Sequence, residues 1–294
     1  MVIQGSLPGD QATLFRQHRP LMFSIAYRML GSASDAEDVV QDAYLRWERA
    51  DTTDVRSAKD YLSTTVTRLA LDHLRSARVR REVYVGPWLP EPLVGVDEHD
   101  PLAATTMAES LSTAFLVLLE RLTPDQRAAF LLREVFDFEY AAVARVLETS
   151  EPNARQLVQR AKQHIAAGRS RFSSDTKQAD ALARRFIAAC TTGDVDGLLS
   201  MLSEDAVAWA DGGGKVSAAR RPVIGADRVA RFVASIVRKW SGSGDVRIAP
   251  VNGGVGLIFS RAGRVRAVMT IAADRSGERV GDVFVMRNPD KLGG

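Results

Sequence analysis

The sequence predicts a multidomain chain, with two all-α domains followed by an α+β domain. Three observations carry this. Apolar residues recur at three- and four-residue spacing from about Gln11 to Arg171. A proline-rich stretch, Gly86 to Pro92, interrupts that pattern once. After Ser174 the pattern passes to short runs divided by glycine turns. A chain of 294 residues suits two or three cores. Boundaries are expected at 1–83, 84–101 (a linker), 102–173 and 174–294.

A first helix is predicted from Gln11 to Leu30, with Phe15, Leu21, Met22, Ile25 and Met29 inward and Gly31 ending it. Ser34-Asp35-Ala36-Glu37 reads as a capping box for a second helix, Asp35 to Arg49. That helix buries Val39, Val40, Ala43 and Trp47 and turns Asp38, Gln41, Asp42 and Leu45 outward. Ser57 opens a long third helix with Leu62, Val66, Leu69, Ala70 and Leu74 inside. Its outer side carries Lys59, Thr64, Thr65, Arg68, Asp72, Arg75, Arg78, Arg80 and Arg81. From Tyr84 to about Asp100 periodicity is lost, because the prolines of Gly86-Pro87-Trp88-Leu89-Pro90-Glu91-Pro92 remove donors and hold their predecessors extended. Trp88 and Leu89 are unusual in a flexible tether and suggest docking on a neighbouring surface.

A helix from Leu102 to Arg121 leads to the most informative segment, Thr123 to Ile165. Thr123-Pro124-Asp125-Gln126 opens a helix with a cap, a proline at its first position and a glutamine three on. Phe130, Leu131 and Val135 give its apolar face. A second helix buries Ala142, Val143, Val146 and Leu147, Glu148-Thr149-Ser150 turns, and Ser150 caps a third. There Ala154, Val158, Ala161 and Ile165 form the buried stripe, leaving Arg155, Gln156, Gln159, Arg160 and Lys162 outside. No acidic residue stands between Pro152 and Ser174. This reads as a helix-turn-helix whose last helix meets phosphates and base edges. The same residues also suit an ordinary solvated face of a helical bundle.

Beyond Ser174, helices are expected near Lys177–Thr191 and Asp194–Leu202, then a strand, Ala206–Ala210, and the turn Asp211-Gly212-Gly213-Gly214-Lys215. A helix from Gly225 to Trp240 follows, with strands at Val246–Val251, Val255–Ser260, Val265–Ala273 and Glu278–Arg287. Asn252-Gly253-Gly254, Ala262-Gly263 and Arg275-Ser276-Gly277 divide these, as in an antiparallel meander.

The net charge is only +3, and its distribution says more. Acidic residues gather at Asp35–Asp42 and Glu91–Glu109, and basic ones at Arg68–Arg81 and Arg155–Arg171, so nucleic acid would meet two basic stripes. Cys190 is the only cysteine, which excludes a disulfide framework and a multi-cysteine zinc site. Met1 to Asp10 lacks the pattern of an export signal, and no run nears the roughly 20 apolar residues of a membrane span. A cytoplasmic protein with no membrane contact is expected.

Three motifs together carry a family resemblance: Ser34-Asp35-Ala36-Glu37-Asp38-Val39-Val40-Gln41-Asp42-Ala43, then Tyr61-Leu62 with Arg68-Leu69-Ala70-Leu71-Asp72-His73-Leu74-Arg75, then Arg155 to Ile165. In order and spacing, Phe15 to Arg171 resembles regions 2 and 4 of extracytoplasmic-function (ECF) sigma factors. The remainder resembles the SnoaL-like, NTF2-fold cone that extends one group of them. Trp88-Leu89-Pro90-Glu91-Pro92, Asp211-Gly212-Gly213-Gly214-Lys215 and Asn288-Pro289-Asp290-Lys291-Leu292 match signatures of that group.

The resemblance implies core RNA polymerase and promoter DNA as partners. Asp38, Gln41, Asp42 and Leu45 would meet the polymerase clamp helices. Lys59, Tyr61, Arg68, Asp72, Arg75, Arg78, Arg80 and Arg81 would serve the −10 element, where capturing an unstacked strand offsets a melting cost of a few kcal/mol. Tyr61 fits a core-edge aromatic equally well, and Asp72 an ion pair that orients the arginines. At the −35 element, Ser150 would cap the reading helix, Asn153, Arg155, Gln156 and Gln159 would reach base edges, and Arg160 and Lys162 phosphates. Leu157 departs from the basic residue many relatives carry there.

SnoaL-like relatives include cyclases and isomerases that use an Asp, often with a His. Here His18, His73, His99 and His164 all precede that domain, so no Asp-His pair forms within it. Asp211 could still act alone as a base, while the glycines after it suit a turn more simply and Asp211 and Lys215 suit polar contacts with another domain. No catalytic residue, metal or cofactor is expected; a regulatory domain is, and a small ligand within it stays open. A helix-turn-helix regulator with a ligand sensor and a DNA-tethered enzyme are the alternatives to a sigma factor.

Overall fold

The computed structural model describes residues 8–53, 55–81, 84–95, 111–169 and 176–293; the side chains of residues 8–10, 77–81, 168–169 and 176–177 are outside the description. The chain divides into two units, Met1–Glu82 with Leu119–His164, and Val83–Leu118 with Ile165–Gly294.

In the first unit, α1 (Pro8–Leu30), α2 (Ala33–Arg49) and α3 (Ala58–Arg81) pack together around Met22, Ile25, Met29, Val40, Trp47, Leu62 and Val66. Gly31, at φ 66°, ends α1 as expected. The cap of α2 is a correction. It starts at Ala33, and Ser32, not Ser34, accepts from the Asp35 amide. Asp35 stands where a capping box needs Glu or Gln, so the box does not form. Two cations are buried here. Arg28 donates to Ser24 O at 3.2 Å and lies 5.6 Å from the Phe136 ring, and burial draws its pKa down to about 10. Arg127 donates to Met29 O at 2.6 Å and to Glu120 at 2.7 Å.

The helix-turn-helix follows. α5 (Pro124–Phe130) has the expected reciprocal capping box between Thr123 and Gln126. It continues into a π-helical turn, Leu131–Val135, where Phe136 N–H bonds to Leu131 O. This widened turn was not foreseen, and it leaves Phe136 and Phe138 buried. α6 (Tyr140–Val146) and α7 (Glu151–Arg169) complete the motif, with Ser150 Oγ accepting from Asn153 N. Ala154, Val158, Ala161 and Ile165 are buried as their spacing requires. Of the expected helix from Leu102 to Arg121, residues 102–110 are outside the description; the described part is α4 (Thr113–Leu119).

The second unit holds α8 (Thr176–Thr192), α9 (Val195–Met201), α10 (Ala226–Ser241) and a six-stranded sheet. Its strands are β1 (Leu202–Asp211), β2 (Val223–Ile224), β3 (Asp245–Val251), β4 (Gly254–Arg261), β5 (Arg264–Ala273) and β6 (Val280–Met286), in the order β2-β1-β6-β5-β4-β3. The meander holds from β3 to β6, but β1 runs parallel to β6, so the sheet is mixed. β1 also begins four residues early, through Ser203, Glu204 and Asp205, which propensity alone excludes from a strand. Asn252-Gly253 turns with both φ positive, which suits a tight hairpin.

The two-residue period divides the sheet faces. Val283, Val285, Leu257, Phe259, Ala267 and Met269 pack against Phe186, Leu198, Val233 and Trp240 of the helices. Phe284, Met286, Ile258 and Val268 face the other way, against Leu89 and Ala114. This is the α+β architecture expected of a SnoaL-like domain, with its second face covered by the linker.

Candidate nucleic-acid interface and linker-docking site

α2 presents Asp38, Gln41, Asp42 and Leu45 to solvent, with Leu45 38 % exposed. Its opposite side is buried, so this acidic face with one leucine is available to a protein surface.

On α3 the expected outer residues have unequal surroundings. Arg68 donates to Arg145 O at 2.8 Å and Val146 O at 3.1 Å, the carbonyl end of α6, and pairs with Glu148 at 3.2 Å. Arg75 pairs with Asp125 at 3.2 Å and Asp72 at 3.7 Å, so Asp72 is placed to orient an arginine. Lys59 stands 5.5 Å from the Phe138 ring. Tyr61 is half-buried with its ring 5.3 Å from Trp47. Arg78, Arg80 and Arg81 lie in α3, with side chains outside the description.

On α7, Asn153, Arg155, Gln156, Gln159, Arg160 and Lys162 are all exposed, on the side away from the buried stripe, and Leu157 is half-buried. The absence of acid from Pro152 to Ser174 did not isolate the cations of α7. Arg155 bonds to Glu151 and lies 4.1 Å over the Tyr140 ring, and Lys162 pairs with Glu134 at 2.7 Å. Asn153 Nδ2 donates to Thr149 Oγ1 at 2.7 Å. Both partners precede the acid-free stretch, so linear scanning missed them.

The second unit joins all three signature segments at one carboxylate. Asp211 is fully buried at the end of β1. Its Oδ1 accepts from Tyr84 OH at 2.5 Å and Gly213 N at 2.9 Å, and its Oδ2 from Leu89 N and Lys291 Nζ, each at 2.9 Å. Lys291 also donates to Leu89 O at 2.6 Å and lies 4.1 Å from the Trp88 ring. Asn288 donates to Tyr84 OH at 2.9 Å, and burial, then Asp211, raises the Tyr84 pKa above its usual value. Gly213 has φ +60°, and a Cβ there would stand 2.5 Å from Asn288. That glycine is therefore required both by conformation and by close approach. Gly212 brings the chain against Val216 O, Gly214 against Val85, Lys215 pairs with Asp290 at 2.5 Å, and Pro289–Lys291 form a 3-10 turn.

Leu89 and Pro90 are buried, while Trp88, Glu91, Pro92, Pro289 and Leu292 are half-buried. Downstream, Leu93 N donates to Asn252 Oδ1 at 2.6 Å, Asn252 N donates to Leu93 O at 3.0 Å, and Val94 forms a bridge with Val251. Tyr84, Leu93 and Asn252 were not singled out beforehand. A lone tyrosine opening a proline-rich stretch was the available signal.

The helices and their exposed faces thus define a bipartite DNA-reading module joined to an α+β domain. The Sigma-70 region 2 family matches residues 14–80, and the Sigma-70, region 4 family matches residues 112–165. The chain is 41% identical over 288 residues to the ECF RNA polymerase sigma factor SigJ of Mycobacterium tuberculosis, covering 95% of this chain and 91% of that protein. It is 32% identical to the probable ECF RNA polymerase sigma factor SigI of the same species, covering 95% and 93%. The crystal structure of M. tuberculosis SigJ superimposes with a TM-score of 0.77 at 37% identity, covering 96% of this chain and 98% of that one. The chain belongs to the ECF sigma factors, which direct RNA polymerase to promoters at transcription initiation.

Proposed function

We propose that α2 binds core RNA polymerase through Asp38, Gln41, Asp42 and Leu45, that α3 serves the −10 element, and that α7 reads the −35 element. The C-terminal domain controls this module through contact with the linker and not by chemistry. The observation that carries this reading is Asp211. Its two oxygens accept from donors of the linker, turn and tail, so it holds a segment in place and is not exposed to a substrate. A general base needs access to the proton it removes.

Two experiments test the reading. Asp38→Lys with Asp42→Lys should abolish co-purification with core polymerase, and unchanged binding by the folded variant rejects the α2 assignment. Asp211→Asn should change promoter-dependent transcription by purified core enzyme plus this chain. Wild-type output rejects contact control, and substrate turnover lost in that variant favours an enzyme.

A further inference from the structure

One end of the sheet carries a cleft that the reading above does not use, with a volume of about 380 Å³. Five cations line it: Lys239 near the end of α10, Arg261 and Arg264 across the β4–β5 turn, Arg266, and Arg287 just beyond β6. No Asp or Glu lines it, and among the described residues none of the five forms a salt bridge.

The charges are held together against their own repulsion. Arg261 and Arg264 are directly opposed in the β4–β5 register, an arrangement that costs stability unless an anion lies between or beside them. Arg287 Nε is buried and has no acceptor among the described residues, while Nη1 donates to Ser217 O. An unpaired buried donor is costly, which favours a shift of Arg287 that brings Nε to a ligand oxygen. Part of the lining is apolar and aromatic. Trp240 and Phe259 stack with ring centres 5.6 Å apart and planes 8° apart, and Val265 and Leu292 flank them.

We propose that this cleft binds a small organic anion with a flat apolar body, of the aromatic carboxylate class. The carboxylate meets the guanidinium groups and the ring lies toward Trp240 and Phe259. A nucleic-acid backbone fits less well, since it satisfies the cations and leaves the apolar part of the lining unused. Val216, Arg287, Pro289 and Leu292 line the cleft and also belong to, or adjoin, the turn and tail that hold the linker. Occupancy therefore bears on linker docking, a consequence that rests on the contact-control reading; binding itself does not.

The test is calorimetric titration of the full-length protein with 2-naphthoate, with 2-naphthalenemethanol and inorganic phosphate as controls. Saturable binding of naphthoate is expected, with the neutral alcohol and phosphate each at least about tenfold weaker. Arg264→Gln with Arg266→Gln changes two exposed side chains and should weaken naphthoate at least about tenfold with no fall in melting temperature. Arg287→Gln should do the same through the buried donor. Equal affinity for the alcohol, equal affinity for phosphate, or undiminished binding by the double variant overturns the proposal. So does competitive displacement of naphthoate by a non-specific DNA duplex, which makes the cleft a nucleic-acid surface. The readout is binding, so its failure leaves contact control standing, and failure of the Asp211 transcription test leaves the cleft standing.

Discussion

A fully buried carboxylate is stable only when its charge is matched and its lone pairs are filled, and Asp211 meets both conditions. Asp211→Asn removes the charge that Lys291 faces and turns an acceptor into a donor toward Leu89 N or Tyr84 OH. A loss of about 3–5 kcal/mol in urea unfolding is expected, as for other broken buried pairs. Lys215→Ala breaks only an exposed pair with Asp290 and should cost no more than about 1 kcal/mol. The Tyr84 phenol has its folded-state pKa raised, so its stabilisation is complete below the ordinary tyrosine value and is lost as pH rises through the folded one. Absorbance titration should show one tyrosine ionising late, and Tyr84→Phe should remove that step. Burial likewise pushes Cys190 up to about 12. At pH 8, iodoacetamide should label this thiol only after denaturant is added.

Helices and caps were legible because they follow from near neighbours. Thr123 and Gln126 lie one turn apart, and the stripe Ala154, Val158, Ala161, Ile165 is one face of one helix. Of the two failures, the first is local and the second tertiary. Asp35 cannot close the box that Glu would, and the π turn at Leu131–Val135 follows from packing Phe136 and Phe138, which propensity does not describe. For α7, Gln156 is exposed and its side chain has no hydrogen-bond partner among the described residues, so Gln156→Ala should relax selectivity at one −35 position by about 1–3 kcal/mol. Lys162 pairs with Glu134 and has further donors for a phosphate. Lys162→Ala should weaken all sequences alike and lower the salt slope by about 0.9. Base-by-base binding and salt titration check both; changes confined to the −10 region mean the two modules were assigned in reverse.

At the scale of the whole molecule, Arg68 ties α3 to the carbonyl end of α6 inside the first unit. Those bonds engage Nε and Nη2 of a guanidinium that carries five donors and is partly exposed, so Arg68 can reach a DNA phosphate through Nη1 while the contact holds. Arg68→Ala should speed amide exchange along α5 and α6 while leaving α1 and α2 protected; unchanged exchange means the contact holds nothing. The sequence by itself determined the helices, the tight turns, the α+β class of the last domain and the three signature segments, because each depends on residues within a few positions of one another. It also marked Asp211 and the Trp88–Pro92 stretch as sites of contact. Only tertiary structure decided what they contact. Leu89 meets Asp211 across 122 positions and Lys291 across 202. Whether a carboxylate is an exposed base or a buried tie depends on which distant donors the folded chain brings to it.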